Sequence, residues 1–220
     1  MKRLTLFSGM GGDGRLMRLI RISGADVGAP DHVDPAPEED LPRYAKRVAD
    51  LNNIGPRDVI GGASFGGMIA AEISKQRPVA GLILLGSCVR PERLPRSYRW
   101  LERVGKFIPD AALSFRSWSP LVRWRFAPVT AEAEECLVAM AASCPTKQIR
   151  GFGRMTMSWS GVEKFVCPVL SIHGDNDRII PLKSAEPGLI LKGAGHAFTL
   201  THAEQTKSAI QKFLEQAAWI

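Results

Sequence analysis

The chain has 220 residues, which suits one domain with a sizeable core and would leave two full domains cramped. With 45% apolar and 23% charged residues it does not read as disordered, and no apolar run reaches the roughly 18 residues of a membrane helix. The net charge of +7 is uneven, because residues 88–160 hold 12 Lys/Arg against 6 Asp/Glu while the remainder holds 17 against 16.

The first apolar run, Leu4–Phe7, predicts a short strand. It breaks at Ser8-Gly9, well short of an export core of about 7–15 residues, so the chain reads as cytoplasmic. A glycine-rich turn, Gly9-Met10-Gly11-Gly12-Asp13-Gly14, leads into a helix from Arg15, with Asp13 placed to cap it. Ala25–Ala29 reads as a second strand, and Pro30 to Pro37 as loop. Leu41, Tyr44, Ala45, Val48 and Leu51 recur at helical spacing and predict a helix over Glu38–Asn53. Asp58–Gly61 predicts a strand, Phe65–Gln76 a helix, and Val79–Leu85 an apolar strand covered on both faces.

From Pro91 to Trp159 the rhythm is helical, rich in Arg and Trp and punctuated by prolines. This segment reads as a helical cap plus one core helix, with the cap at 89–145 inserted between core segments 1–88 and 146–220. Strands follow at Pro168–Ile172 and Gly188–Lys192, and Ala203–Trp219 closes the chain as an amphipathic helix. Alternation of this kind implies a mostly parallel sheet of about six strands with helices on both faces. Ligands of such sheets bind beyond the carboxyl ends of the strands.

One such end carries Gly62-Ala63-Ser64-Phe65-Gly66, a G-x-S-x-G string between a strand and a helix. So sharp a turn strains the serine backbone and brings neighbouring chain so close that only glycine fits at Gly62 and Gly66. The Ser64 hydroxyl is pushed out above the sheet, and the following helix points its N-terminus at developing negative charge. A serine needs a base. With partners ordered Ser, acid, His, His32 drops out and His196, on the loop after the last strand, is the candidate. His202 belongs in or at the cap of the final helix, and His173 supports the turn after its strand. The acid comes from the loop after that strand, with Asp177 first and Asp175 in reserve, since Asp also caps turns.

The chain resembles the α/β-hydrolase superfamily. His173, Gly174, Asp177 and Pro181 fit the family's H-G-x-x-D-x-x-x-P string, and Gly195-His196 fits the G-H pair that follows it. The resemblance implies the α/β-hydrolase fold and an oxyanion hole formed by the backbone amides of Phe65 and Met10. The family opens that first loop with His-Gly, where this chain has Ser8-Gly9. Only 18 residues separate Asp177 from His196, room for little more than a turn where relatives place a helix. The sheet is expected to begin directly with the oxyanion strand, without the family's two-strand N-terminal hairpin. The implied function is that of a serine hydrolase, of carboxylesterase or thioesterase type, acting on a small acyl ester or thioester without metal or organic cofactor.

Two rival readings stay in view. Gly9, Gly11 and Gly14 satisfy the dinucleotide-binding string G-x-G-x-x-G, with Asp31 and Asp34 near the place of a ribose-binding acid. A hydrolase fold can also serve as a non-catalytic binding protein.

In the cap, Arg96, Arg99, Arg103 and Lys106 share one helical face, which reads first as a solvated basic side. Pimeloyl-carrier methyl-ester esterases are similar in having a cap that docks an acidic acyl carrier protein, and the same arginines would suit that partner. Nucleic acid and membrane are not expected partners. Met68, Trp118, Met155 and Trp159, with Met140 and Met157, are candidates to line an acyl pocket, although most such residues are core. The cysteines Cys88, Cys136, Cys144 and Cys167 match no zinc or CxxC spacing and read as free thiols, Cys88 being the one placed where reactivity would matter.

Overall fold

The computed structural model describes residues 2–95, 98, 119–217 and 219. Among them six strands form one parallel sheet: β1 (Lys2–Phe7), β2 (Ala25–Gly28), β3 (Val59–Ala63), β4 (Gly81–Leu85), β5 (Val169–Gly174) and β6 (Leu189–Leu191). Their order is β2-β1-β3-β4-β5-β6. The chain runs outward from β1 to β2, then returns to lay β3 on the other side of β1. That reversal is the point where such sheets open a crevice at their carboxyl edge.

Helices cover both faces. On one face lie α1 (Leu41–Leu51), α2 (Phe65–Gln76) and α5 (Thr146–Ser158), whose Tyr44, Ile69, Phe152 and Met155 share a core cluster with Phe7, Ile60 and Leu82. On the other face lie α4 (Ala131–Ser143), α6 (Phe198–Thr201) and α7 (Ala203–Gln216), which bury Leu137, Phe198, Ile210 and Leu214 against Leu4, Leu6 and Ile83. A further helix, α3 (Ser119–Phe126), precedes α4. The alternation of Leu82 and Leu84 toward one cluster with Ile83 and Leu85 toward the other is the period-two signature of a strand buried on both sides.

Three local outcomes depart from the sequence expectation. The helix expected from Arg15 is a single 3₁₀ turn, Gly14–Met17, although Asp13 does cap it through the Arg15 N–H at 2.9 Å. Its Leu16 and Met17 are already buried, and Gly24, at φ +78°, turns the chain into β2. The helix expected from Glu38 starts at Leu41, because Asp40 is the N-cap and Glu38 sits at φ +53°, outside the helical region. Finally, α4 lies within residues assigned to the cap, yet Ala133, Cys136, Leu137 and Met140 pack with Leu16 and Met17 in a core cluster. The short link expected between Asp177 and His196 contains one 3₁₀ turn, Leu182–Ser184, and then β6.

Candidate active site

β3 ends at Ala63 and α2 begins at Phe65, so Ser64 makes the turn alone. It does so at φ +53° and ψ −119°, a conformation that costs an L-residue about 1–3 kcal/mol. The surroundings impose it. The Ser64 N–H donates to Leu85 O at 2.9 Å, and Ser64 O accepts the Ser87 hydroxyl at 2.7 Å. A Cβ on Gly62 would come within 2.5 Å of Phe7 O, and one on Gly66 within 2.2 Å of the same oxygen. The close approach anticipated for these two glycines is therefore between β1, β3 and the start of α2.

Asp177 and His196 come together beyond β5 and β6. The His196 Nδ1–H donates to Asp177 Oδ2 at 2.6 Å, and Asp177 Oδ1 accepts the amides of Ile179 and Ile180, each at 2.8 Å. Burial alone would raise the pKa of Asp177. The charge and hydrogen bond of His196, together with His173 and the Ile180 amide, outweigh it and hold the carboxyl below its usual range. The reserve acid, Asp175, faces elsewhere: its Oδ1 accepts the Gly193 N–H at 2.7 Å and so shapes the loop that carries His196. The pair sits over Gly86, where a Cβ would lie 3.5 Å from Asp177 Oδ2 and 3.6 Å from His196 Nδ1. Gly86 directly follows Leu85, the residue that receives the Ser64 amide. Ser64, Asp177 and His196 are thus gathered around the carboxyl end of β4.

His173 does support the turn. It is fully buried, and its Nε2–H donates to Ile180 O at 2.7 Å. Its Nδ1 is a buried acceptor without a partner among the described residues, and burial pushes the imidazole pKa down. His202 caps α7. Phe126, at the end of α3, lies edge-on to the His196 ring at 5.8 Å, a contact that strand and motif spacing do not reveal.

The first loop lies beside the elbow. A Cβ on Gly9 would be 3.2 Å from Ser64 Cβ and 3.9 Å from its hydroxyl. Among the described residues neither the Met10 amide nor the Phe65 amide donates a hydrogen bond. The dinucleotide reading finds no matching frame here. Its phosphate-binding helix would have to be the four-residue 3₁₀ turn, Asp31 accepts the Gly14 N–H at 3.1 Å, and Asp34 pairs with Lys147 at 2.5 Å.

Met68, Met155 and Trp159 are 3%, 0% and 5% exposed and belong to the α2-side core cluster. The Trp159 indole N–H donates to buried Glu72 at 2.7 Å. Their positions are those of packing residues. Met140 is buried in the other cluster, and Met157 packs at the edge of the first. Arg96, Arg99, Arg103, Lys106 and Trp118 lie outside the described residues. Cys88 is buried with Ser184 O at 2.9 Å and Arg90 O at 3.1 Å from its sulfur, and burial pushes the thiol pKa up, against thiolate chemistry.

The model of the Alpha/beta hydrolase family matches residues 7–209, from β1 into α7. The chain belongs to the alpha/beta hydrolase family. Solved structures agree on the fold of this hydrolase. A thermophilic esterase from Thermogutta terrifontis superposes with a TM-score of 0.79 at 20% identity, covering 99% of this chain and 90% of that one. The esterase EaEST from Exiguobacterium antarcticum gives 0.78 at 16% identity, with 98% and 92% covered. A bromoperoxidase from Bacillus anthracis gives 0.75 at 18% identity, with 97% and 92% covered. A comparison with curated proteins found no match.

Proposed function

We propose that this alpha/beta hydrolase is a serine esterase or thioesterase that works through an acyl-enzyme on Ser64. The observation that carries the reading is the 2.6 Å hydrogen bond between His196 and Asp177, beside a serine held at φ +53° between strand and helix. His196 takes the Ser64 proton as the hydroxyl oxygen attacks the acyl carbonyl, and Asp177 holds the imidazole tautomer and stabilises its cation. The amides of Phe65 and Met10 donate to the oxyanion. Removing one such donor typically costs about 2.7–4 kcal/mol of transition-state stabilisation. His196 then returns the proton to the leaving alkoxide or thiolate. Water, deprotonated by His196, attacks the acyl-serine carbonyl and releases the carboxylic acid and free Ser64.

A fluorophosphonate probe tests the chemistry. Covalent labelling of the wild type that disappears in Ser64→Ala is the expected result. Folded wild-type protein that stays unlabelled would instead favour a non-catalytic hydrolase-fold binding protein. The acyl group is then defined by a screen of chain lengths on ester and thioester substrates.

The excess of 12 Lys/Arg over 6 Asp/Glu in residues 88–160 supports one refinement, a substrate borne on an acidic acyl carrier protein. Salt should then depress turnover of carrier-bound acyl groups while leaving small esters unaffected.

A further inference from the structure

His32 has no place in a Ser–acid–His order, yet its ring is turned into the first loop. Nε2 lies 3.0 Å from Ser8 O and 3.3 Å from Gly9 O. Carbonyl oxygens only accept, so Nε2 carries the hydrogen and shares it between the two. The ring is lodged against Phe152 at 5.0 Å and Phe65 at 6.0 Å, and burial favours its neutral form.

Gly9 O is held a second time, by the Gly12 N–H at 3.0 Å. This oxygen and the Met10 N–H belong to one planar trans peptide, in which C=O and N–H point in opposite directions. Fixing the oxygen therefore fixes the amide. Rotating the unit would break both bonds and exchange a donor for an acceptor next to Ser64, whose Cβ would be 3.2 Å from a Cβ on Gly9. The family opens this loop with His-Gly; here Ser8 stands at that position, and an imidazole reaches the loop from the segment after β2 instead.

We infer that His32 is a positioning residue: by holding Gly9 O, its Nε2–H keeps the Met10 amide turned toward the oxyanion that forms at Ser64. This rests on the acyl-enzyme reading, and the two can fail separately.

The test measures kcat and KM for p-nitrophenyl acetate, together with melting temperature, in wild type, His32→Phe and His32→Gln. Phenylalanine keeps a ring against Phe65 and Phe152 but cannot donate; glutamine keeps an N–H donor at similar reach. His32→Phe should lose about 10²–10³-fold in kcat, the effect of removing one oxyanion donor, with KM unchanged. His32→Gln should recover roughly tenfold or more of that loss. With wild-type Ser64 labelled by fluorophosphonate, an undiminished kcat in His32→Phe overturns the inference alone. Equal kcat losses in both variants also overturn it, because a ring that merely packs gains nothing from a retained donor. Labelling of the wild type that survives Ser64→Ala, or no labelling at all, removes the acyl-enzyme reading and this inference with it.

Discussion

Asp177 gives its two oxygens to different partners: Oδ2 accepts from His196 Nδ1 at 2.6 Å, while Oδ1 accepts the amides of Ile179 and Ile180. The carboxylate is anchored by main chain on one side and orients the imidazole on the other. Asp177→Asn keeps the shape but can present an amide N–H to Nδ1, which favours the wrong tautomer. Turnover of p-nitrophenyl esters should fall about 10⁴-fold. Asp175→Asn, whose side chain among the described residues accepts from the Gly193 amide alone, should cost less than about tenfold; comparable losses in the two variants would reverse the assignment of the acid.

Two glycine-to-alanine changes should move stability in opposite directions. At Gly66 a Cβ would be 2.2 Å from Phe7 O, and backbone cannot step aside, so Gly66→Ala should cost about 3 kcal/mol or more. At Gly153, inside α5, a Cβ meets nothing within 4 Å, and Gly153→Ala should gain about 0.4–1 kcal/mol by restricting the unfolded chain. Urea denaturation midpoints read both.

Trp159 donates to Glu72, which is only 2% exposed. Trp159→Phe leaves a buried carboxylate short of a donor and should destabilise by about 1–3 kcal/mol. Its KM for short esters should not change if the indole is a packing residue. A raised KM with unaltered stability would place it against substrate.

Burial lowers the pKa of both His32 and His173. The unfolded chain titrates near 6.5, so as pH drops through that value the unfolded state takes up protons that the fold resists. Their neutral forms therefore favour the fold above about pH 6.5, and stability should decline below it by up to about 1.4 kcal/mol per pH unit per histidine. Asp177, also shifted down, adds its loss at lower pH, as its folded form takes up a proton. Melting temperatures between pH 8 and 5 read the histidine phase. A flat profile contradicts it, and His32→Gln should reduce the slope.

The strand–serine–helix turn was legible because its physics is local: two glycines and a serine within five residues dictate the turn. The strands were legible from apolar runs whose ends the structure shifts by only a few residues. The choice between Asp175 and Asp177 was legible only as a ranking, Asp177 first, because both lie in one turn and their partners, Gly193 for the first and His196 for the second, come from elsewhere in the chain. The contact of His32 with Ser8 and Gly9 joins residues 24 and 23 positions apart and leaves no periodic trace. The core packing of α4 did leave one, in Ala133, Cys136, Leu137 and Met140 at helical spacing. The proline-bounded, basic character of the surrounding segment obscured it. The buried methionines and Trp159 show the limit of composition, since an apolar side chain looks the same whether it lines a pocket or fills a core.

The sheet ends on short strands: β2 has four residues and β6 three. Border strands expose unpaired amides and carbonyls that can recruit a stranger's backbone into a growing ribbon. With so few such groups on either border, the architecture that brings Asp177 and His196 together also limits the template it offers for aggregation.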